Sequence, residues 1–245
     1  MRETYYAGAY WGRRRESAEE CARRAETFFR LLAECHPSYA RWYEKTNSTR
    51  KGYRLEFEPT RDTFVRFFGK KKYQSGTNGF YFGAWTGHEE EDQGGAVTLF
   101  CGAHAEGSSN HVLLYFPVEE PGRERMLTTP VLAGVMRAMA GAWGPDWGVI
   151  VSDDFRDGLS EQGSAGTFVG WVTYFSRQRG EVPALPEPVR AEAVEEKGTL
   201  VILTPDRLSG RNPEHLDLGR RVQQVLEERG LLRRVVERRL RHPLI

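Results

Sequence analysis

Cysteine is scarce: among 245 residues there are 3, Cys21, Cys35 and Cys101. Secreted scaffolds carry a dense, even set, so this sparse, odd one excludes a disulfide framework and fits a reducing compartment. Net charge is nearly absent as well, with 35 Lys+Arg against 34 Asp+Glu. No global field therefore draws the chain to nucleic acid or to an anionic membrane. No stretch approaches the roughly 18 consecutive apolar residues that a bilayer span needs. The start, Met1-Arg2-Glu3-Thr4-Tyr5-Tyr6, lacks the basic segment and apolar run of a secretory signal. A cytoplasmic protein with no membrane partner is expected.

The common catalytic signatures are missing too. No Walker loop, dinucleotide-binding glycine motif, H-E-x-x-H or C-x-x-C occurs. Gly163-Ser164-Ala165-Gly166 lacks the G-x-S-x-G spacing that exposes a nucleophilic serine on a strained turn.

What is present is ordinary globular material: 39% hydrophobic, 12% aromatic and 28% charged residues, with 26 Gly and 12 Pro to supply turns. One domain over residues 1–245 is the economical reading. Residues 4–11 alternate Tyr5, Ala7, Ala9 and Trp11 against Tyr6, Gly8 and Tyr10, a strand with two usable faces. Ser17 and Glu20 form a capping box ahead of an amphipathic helix whose apolar stripe includes Cys21, Phe28, Phe29, Leu32 and Cys35 and which Pro37 ends. On that stripe the two cysteines read as small buried hydrophobes. Tyr39, Trp42 and Tyr43 fall at helical spacing, and a short helix is expected over 59–68, followed by Lys70, Lys71 and Lys72 as a solvated helix end.

Phe80 to Trp85, Ala96 to Cys101 and Val112 to Phe116 read as an antiparallel meander. Thr129 before Pro130 predicts a helix N-cap and first-turn proline, with Gly144-Pro145 as the stop. Strands are expected at 147–151 and 167–175 around a polar, acidic loop. The proline-rich stretch 181–188 is a stiff connector to a hairpin, Val189 to Val194 and Thr199 to Thr204. Asn212-Pro213 opens a final long helix that Gly230 ends. The expected fold class is α+β, a mostly antiparallel sheet with packed helices, among them a long N-terminal and a C-terminal helix.

Three groups of residues are chemically suggestive. Cys101, His104 and His111 offer one sulfur and two imidazoles for zinc, but no tight pair spacing pre-arranges them, and a loop reading is preferred. A metal-dependent hydrolase using that group, or Asp153 and Asp154, is the enzyme alternative. No cofactor is expected. The acidic run Glu89-Glu90-Glu91-Asp92 is either a solvated hairpin tip beside a core tryptophan, Trp85, or a docking element for a basic surface such as a nuclease cleft. From Arg229 to Arg241 there are six arginines and one glutamate, interleaved with Leu231, Leu232, Val235, Val236 and Leu240. That pattern reads as an amphipathic helix docked on the fold, with nucleic-acid contact as the alternative.

Several segments have a familiar ring as an ordered set. Tyr10-Trp11-Gly12 with the Glu16 to Glu20 helix start, Phe82-Gly83-Ala84-Trp85-Thr86-Gly87-His88, Thr129-Pro130-Val131-Leu132 running to Trp147-Gly148-Val149, Gly170 to Phe175, and Gly198 to Pro205 resemble the Immunity protein 52 family. The similarity runs from about residue 5 to about residue 232, leaving the arginine-rich end outside it. The resemblance implies an antitoxin-like protein of bacterial polymorphic toxin or type VI secretion systems. Such a protein binds a cognate toxin, a nuclease with a restriction-endonuclease-like domain, and it is not an enzyme. The family supplies no catalytic motif. The partner-binding candidates on this chain are Trp85, His88, Glu89, Glu90, Glu91, Asp92, Asp153, Asp154 and Asp157.

Overall fold

The computed structural model describes residues 2–45, 55–76, 79–87, 94–159 and 166–236. Its frame is a ten-stranded sheet. In chain order the strands are β1 (Tyr5–Trp11), β2 (Trp42–Glu44), β3 (Leu55–Phe57), β4 (Phe80–Trp85), β5 (Ala96–Cys101), β6 (Asn110–Tyr115), β7 (Trp147–Ser152), β8 (Val172–Ser176), β9 (Arg190–Val194) and β10 (Gly198–Ile202). Across the sheet they run β3-β2-β4-β5-β6-β1-β7-β8-β10-β9, and every neighbouring pair is antiparallel. The helices are α1 (Ala18–Cys35), α2 (Arg61–Phe68), α3 (Gly122–Met126), α4 (Thr129–Trp143), α5 (Asp153–Leu159) and α6 (Pro213–Glu228). The α+β expectation holds, and so do the meander β4–β5–β6 and the β9–β10 hairpin.

The alternation in β1 decides how the layers stack. Tyr5, Ala7, Ala9 and Trp11 are all buried on the face that carries α1, α2 and α4. The two alanines leave room for α4 to approach, and Trp11 stacks on Trp143 of that helix with ring centroids 5.5 Å apart. Met136 lies so close to β7 that a Cβ at Gly148 would meet its sulfur at 2.6 Å, which makes glycine a packing requirement there. The capping box starts α1 as expected: the Ser17 hydroxyl accepts from the Glu20 N–H, and Glu20 accepts from the Ser17 N–H. Its stripe packs Phe29 against Trp42 and Phe64, and α2 adds Phe67 and Phe68 against Phe82 and Phe80. Each buried aromatic of this kind contributes roughly 1.5–3 kcal/mol.

Four local expectations are corrected, most of them by tertiary partners. Residues 39–43 are not helical: a single 3-10 turn, Pro37–Tyr39, leads directly into β2. The N-cap of α4 is Thr128, one residue early, because the Thr129 hydroxyl donates instead to the Pro205 carbonyl at 2.7 Å. The acidic segment after β7 is helix α5, capped by Ser152, whose hydroxyl accepts from the Phe155 N–H at 3.1 Å.

The described part of the arginine-rich end, residues 229–236, is not a helix. Gly230 adopts φ +68° and turns the chain, after which Arg179 donates to the carbonyls of Leu231 and Arg233 at 2.7 and 2.6 Å. Arg233 returns bonds to the carbonyls of Arg179 and Gln178, and Thr167 donates to Leu232. The segment is held as an irregular strap because side chains from other loops take its backbone groups.

A candidate protein-docking surface

The second face of the sheet has a different character. In β4, β5 and β6 the residues pointing there stay half-buried or exposed, while their alternates, apart from the half-buried Phe80, are buried. Strand register sorts them into rows. Tyr81, Phe100, His111, Tyr10 and Trp147 stand side by side across β4, β5, β6, β1 and β7. Their rings form a near-continuous ladder, with centroids 5.7 Å apart for Phe100 and His111, 6.3 Å for His111 and Tyr10, and 5.3 Å for Tyr10 and Trp147. A second row runs Trp85, Ala96, Tyr115, Tyr6 and Val151. Between them lie Gly83, Thr98, Leu113 and Gly8, and the Tyr10 ring covers Gly8 so closely that a Cβ there would meet its hydroxyl at 2.5 Å.

The ring groups of the face are uncharged, whereas the Lys45 side chain lies over Gly83 and the Arg156 guanidinium over the Tyr6 ring. Burial pushes the His111 imidazole below its ordinary pKa, so it is neutral at pH 7. Burial likewise raises the phenols of Tyr6, Tyr10 and Tyr115, which stay protonated. Over β1 and β7 the face is partly roofed by residues 166–168 and 234–236, which enclose a cleft of about 250 Å³ with Tyr6, Tyr10 and Trp147. That is smaller than the roughly 300–1,000 Å³ of small-ligand pockets, and its described lining residues place no nucleophile next to a base.

The sequence-derived candidates divide around this face. Trp85 ends β4 on it, half-buried, with its ring 5.9 Å from that of Tyr43. It is therefore not a core tryptophan. His88, Glu89, Glu90, Glu91 and Asp92 lie outside the described residues. Asp153, Asp154 and Asp157 all fall on α5, and each already has a cationic partner: Arg156 bridges Asp153 and Asp157 at 2.9 Å, and Arg211 holds Asp154 at 2.8 Å. The Arg156 guanidinium also sits over the Tyr6 ring, 6.0 Å from its centroid, which places the α5 carboxylates at the rim of the aromatic face.

The enzyme candidates separate. Cys101 pairs with Phe80 on the helix-covered face and is fully buried, whereas His111 stands on the opposite face. The sheet lies between them, so they cannot share a metal ion. Among the described residues no group of three or more His, Cys, Asp or Glu could hold one. Of the terminal arginines, Arg233 is committed to backbone carbonyls. Lys70, Lys71 and Lys72 are exposed, as a solvated helix end should be, and Lys72 also pairs with the buried Glu44.

Sequence reading missed the open aromatic face, although the period-two pattern of β4 and β6 carried it. Tyr81 and Tyr115 occupy positions that alternate with buried residues, so both had to point away from the core.

The model of the family described as Immunity protein 52 matches residues 3–235, nearly the whole chain. The chain belongs to the Immunity protein 52 family. The match reaches Val235 and so takes in the strap over β1 and β7 that the earlier resemblance left out. Among solved structures, the Pseudomonas aeruginosa T6SS protein PA0821 has the same fold, with a TM-score of 0.58 at 9% identity over 91% of this chain and 73% of that one. No curated relative matches the chain. Among the described residues no helix is long and apolar enough to cross a membrane.

Proposed function

We propose that this protein neutralises a cognate bacterial toxin by stoichiometric binding in the cytoplasm of the cell that makes it, without catalysis, and that the toxin is a nuclease with a restriction-endonuclease-like domain. The observation that carries the reading is the family match over residues 3–235, since an immunity protein has a toxin as its partner. The T6SS name of the structural neighbour supports delivery of that toxin by type VI secretion.

A neutral aromatic surface beside carboxylates suits inhibition by contact. Aromatic side chains dominate the centre of protein interfaces, and opposed charges at the rim speed encounter and fix orientation. The contact set comprises Trp85, His88, the acidic run Glu89 to Asp92, and Asp153, Asp154 and Asp157. A nuclease suits such a partner because its cleft is built to attract phosphate and presents positive charge. Co-expression with the toxin encoded beside this gene provides the test. Rescue of growth and a one-to-one complex on size exclusion are expected, whereas continued toxicity with no complex overturns the reading.

A further inference from the structure

The second sheet face has a definite size and a definite charge at its edge. The three strands left unroofed, β4, β5 and β6, spaced about 4.8 Å apart and each with six residues rising about 3.4 Å, span about 300 Å² of sheet. Apolar patches of that size are the largest that typical monomers expose, and they are often functional. Large hydrophobic side chains are exposed at three positions among the described residues, Leu55, Tyr81 and Tyr115, and the two tyrosines are both on this face at 50% and 47% exposure. A stable complex buries about 800 Å² on each partner, so the open strands supply well under half of a footprint and the rest must come from a rim. At the α5 rim two exposed carboxylates, Asp153 and Asp157, share the single guanidinium of Arg156, which leaves one negative charge in excess.

We infer that the toxin docks on the face formed by β4, β5 and β6, with Tyr81 and Tyr115 as its aromatic anchors. The partner surface that fits is an apolar patch over the tyrosines flanked by lysine or arginine facing Asp153 and Asp157. This inference rests on the toxin-binding reading and adds the location and chemistry of the contact.

The test uses the full chain and a catalytically inactivated form of the toxin encoded beside it. The double variant Y81A/Y115A is expected to lose about 100-fold or more in affinity and to lose protection. L55A is the matched control: Leu55 is also exposed, but its register through Glu44 to Ala84 puts it on the opposite face, and its affinity should stay within about twofold of wild type. D157K should slow association about tenfold at low salt, with the difference fading as salt rises. Amide exchange on the unsubstituted complex guards against misfolding of the double variant, and β4 to β6 should gain protection. Full affinity of a folded Y81A/Y115A, or unchanged exchange in those strands, overturns the docking face while leaving toxin binding intact. Absence of any complex with the wild-type chain overturns both.

Discussion

Trp171 and Thr129 meet in the core: the indole N–H donates to the Thr129 hydroxyl at 3.2 Å and to the Thr204 carbonyl at 3.0 Å, while Thr129 donates to the Pro205 carbonyl at 2.7 Å. One hydroxyl thus ties the start of α4 to the segment after β10 and to the approach to β8. Replacing it with a methyl in Thr129→Val leaves the part-buried Pro205 carbonyl and part of the indole donor without their partner. A loss of about 1–3 kcal/mol is expected, read as a lower urea midpoint with an unchanged slope. An unchanged midpoint would show that the bond contributes nothing net.

Glu44 and Lys72 make stability depend on pH. Burial raises the Glu44 pKa, but Lys72, Tyr73 and Lys70 together outweigh it and hold the carboxyl below its ordinary 4.5; the bond to Glu44 raises Lys72 above 10.5. The Glu44 contribution is complete above pH 4.5 and is lost as pH falls through the depressed folded value. The Lys72 contribution is complete below pH 10.5 and is lost as pH rises through the raised folded value. Glu44→Gln should flatten both limbs of the stability curve measured by urea unfolding between pH 3 and 11. Limbs as steep as those of the wild type would place the titrating groups elsewhere.

The three thiols should be nearly inert in the native protein. Burial, with a smaller push from Glu34, raises Cys35 to about 11, so only about a thousandth is thiolate at pH 8. Cys21 and Cys101 are fully buried, and burial raises Cys101 well above the ordinary thiol value. A chromogenic disulfide reagent at pH 8 should titrate all 3 only after denaturation. A thiol that reacts within seconds in the native state would reopen a redox or catalytic role.

Charge reversal along Glu89, Glu90, Glu91 and Asp92 to lysine should slow toxin association at least tenfold at low salt and leave the unfolding free energy within about 0.5 kcal/mol of wild type. Stopped-flow or biolayer kinetics across a salt series reads it. Unchanged affinity would move the interface away from this end of β4 and β5.

How far each element was legible in the chain depends on whether its signal was local. The Ser17–Glu20 capping box, the α1 stripe, the β4–β5–β6 alternation and the Asn212-Pro213 helix start rely on residues within one turn or one hairpin, and each appears where expected. Thr129 shows the limit. Its sequence context marks an N-cap, yet a carbonyl 76 residues away claims the hydroxyl. The Ser152 cap of α5 was readable and overlooked, because Asp153-Asp154 drew the segment toward a loop.

By itself the sequence determined the α+β class, the absence of the common catalytic signatures, the family, and the positions of most strands, because hydrophobic period and capping chemistry act over a few residues. Tertiary structure alone decided that Cys101 and His111 stand on opposite sides of the sheet, that the α5 carboxylates are already paired with Arg156 and Arg211, and that Arg179 holds residues 231–233 in an irregular strap. It also decided which half of the second face stays open, since that depends on strand order and on where distant segments come to rest. The Asp154–Arg211 pair, the Arg179 bonds to the strap and the roof over β1 join residues far apart in the chain, and no local period encodes them.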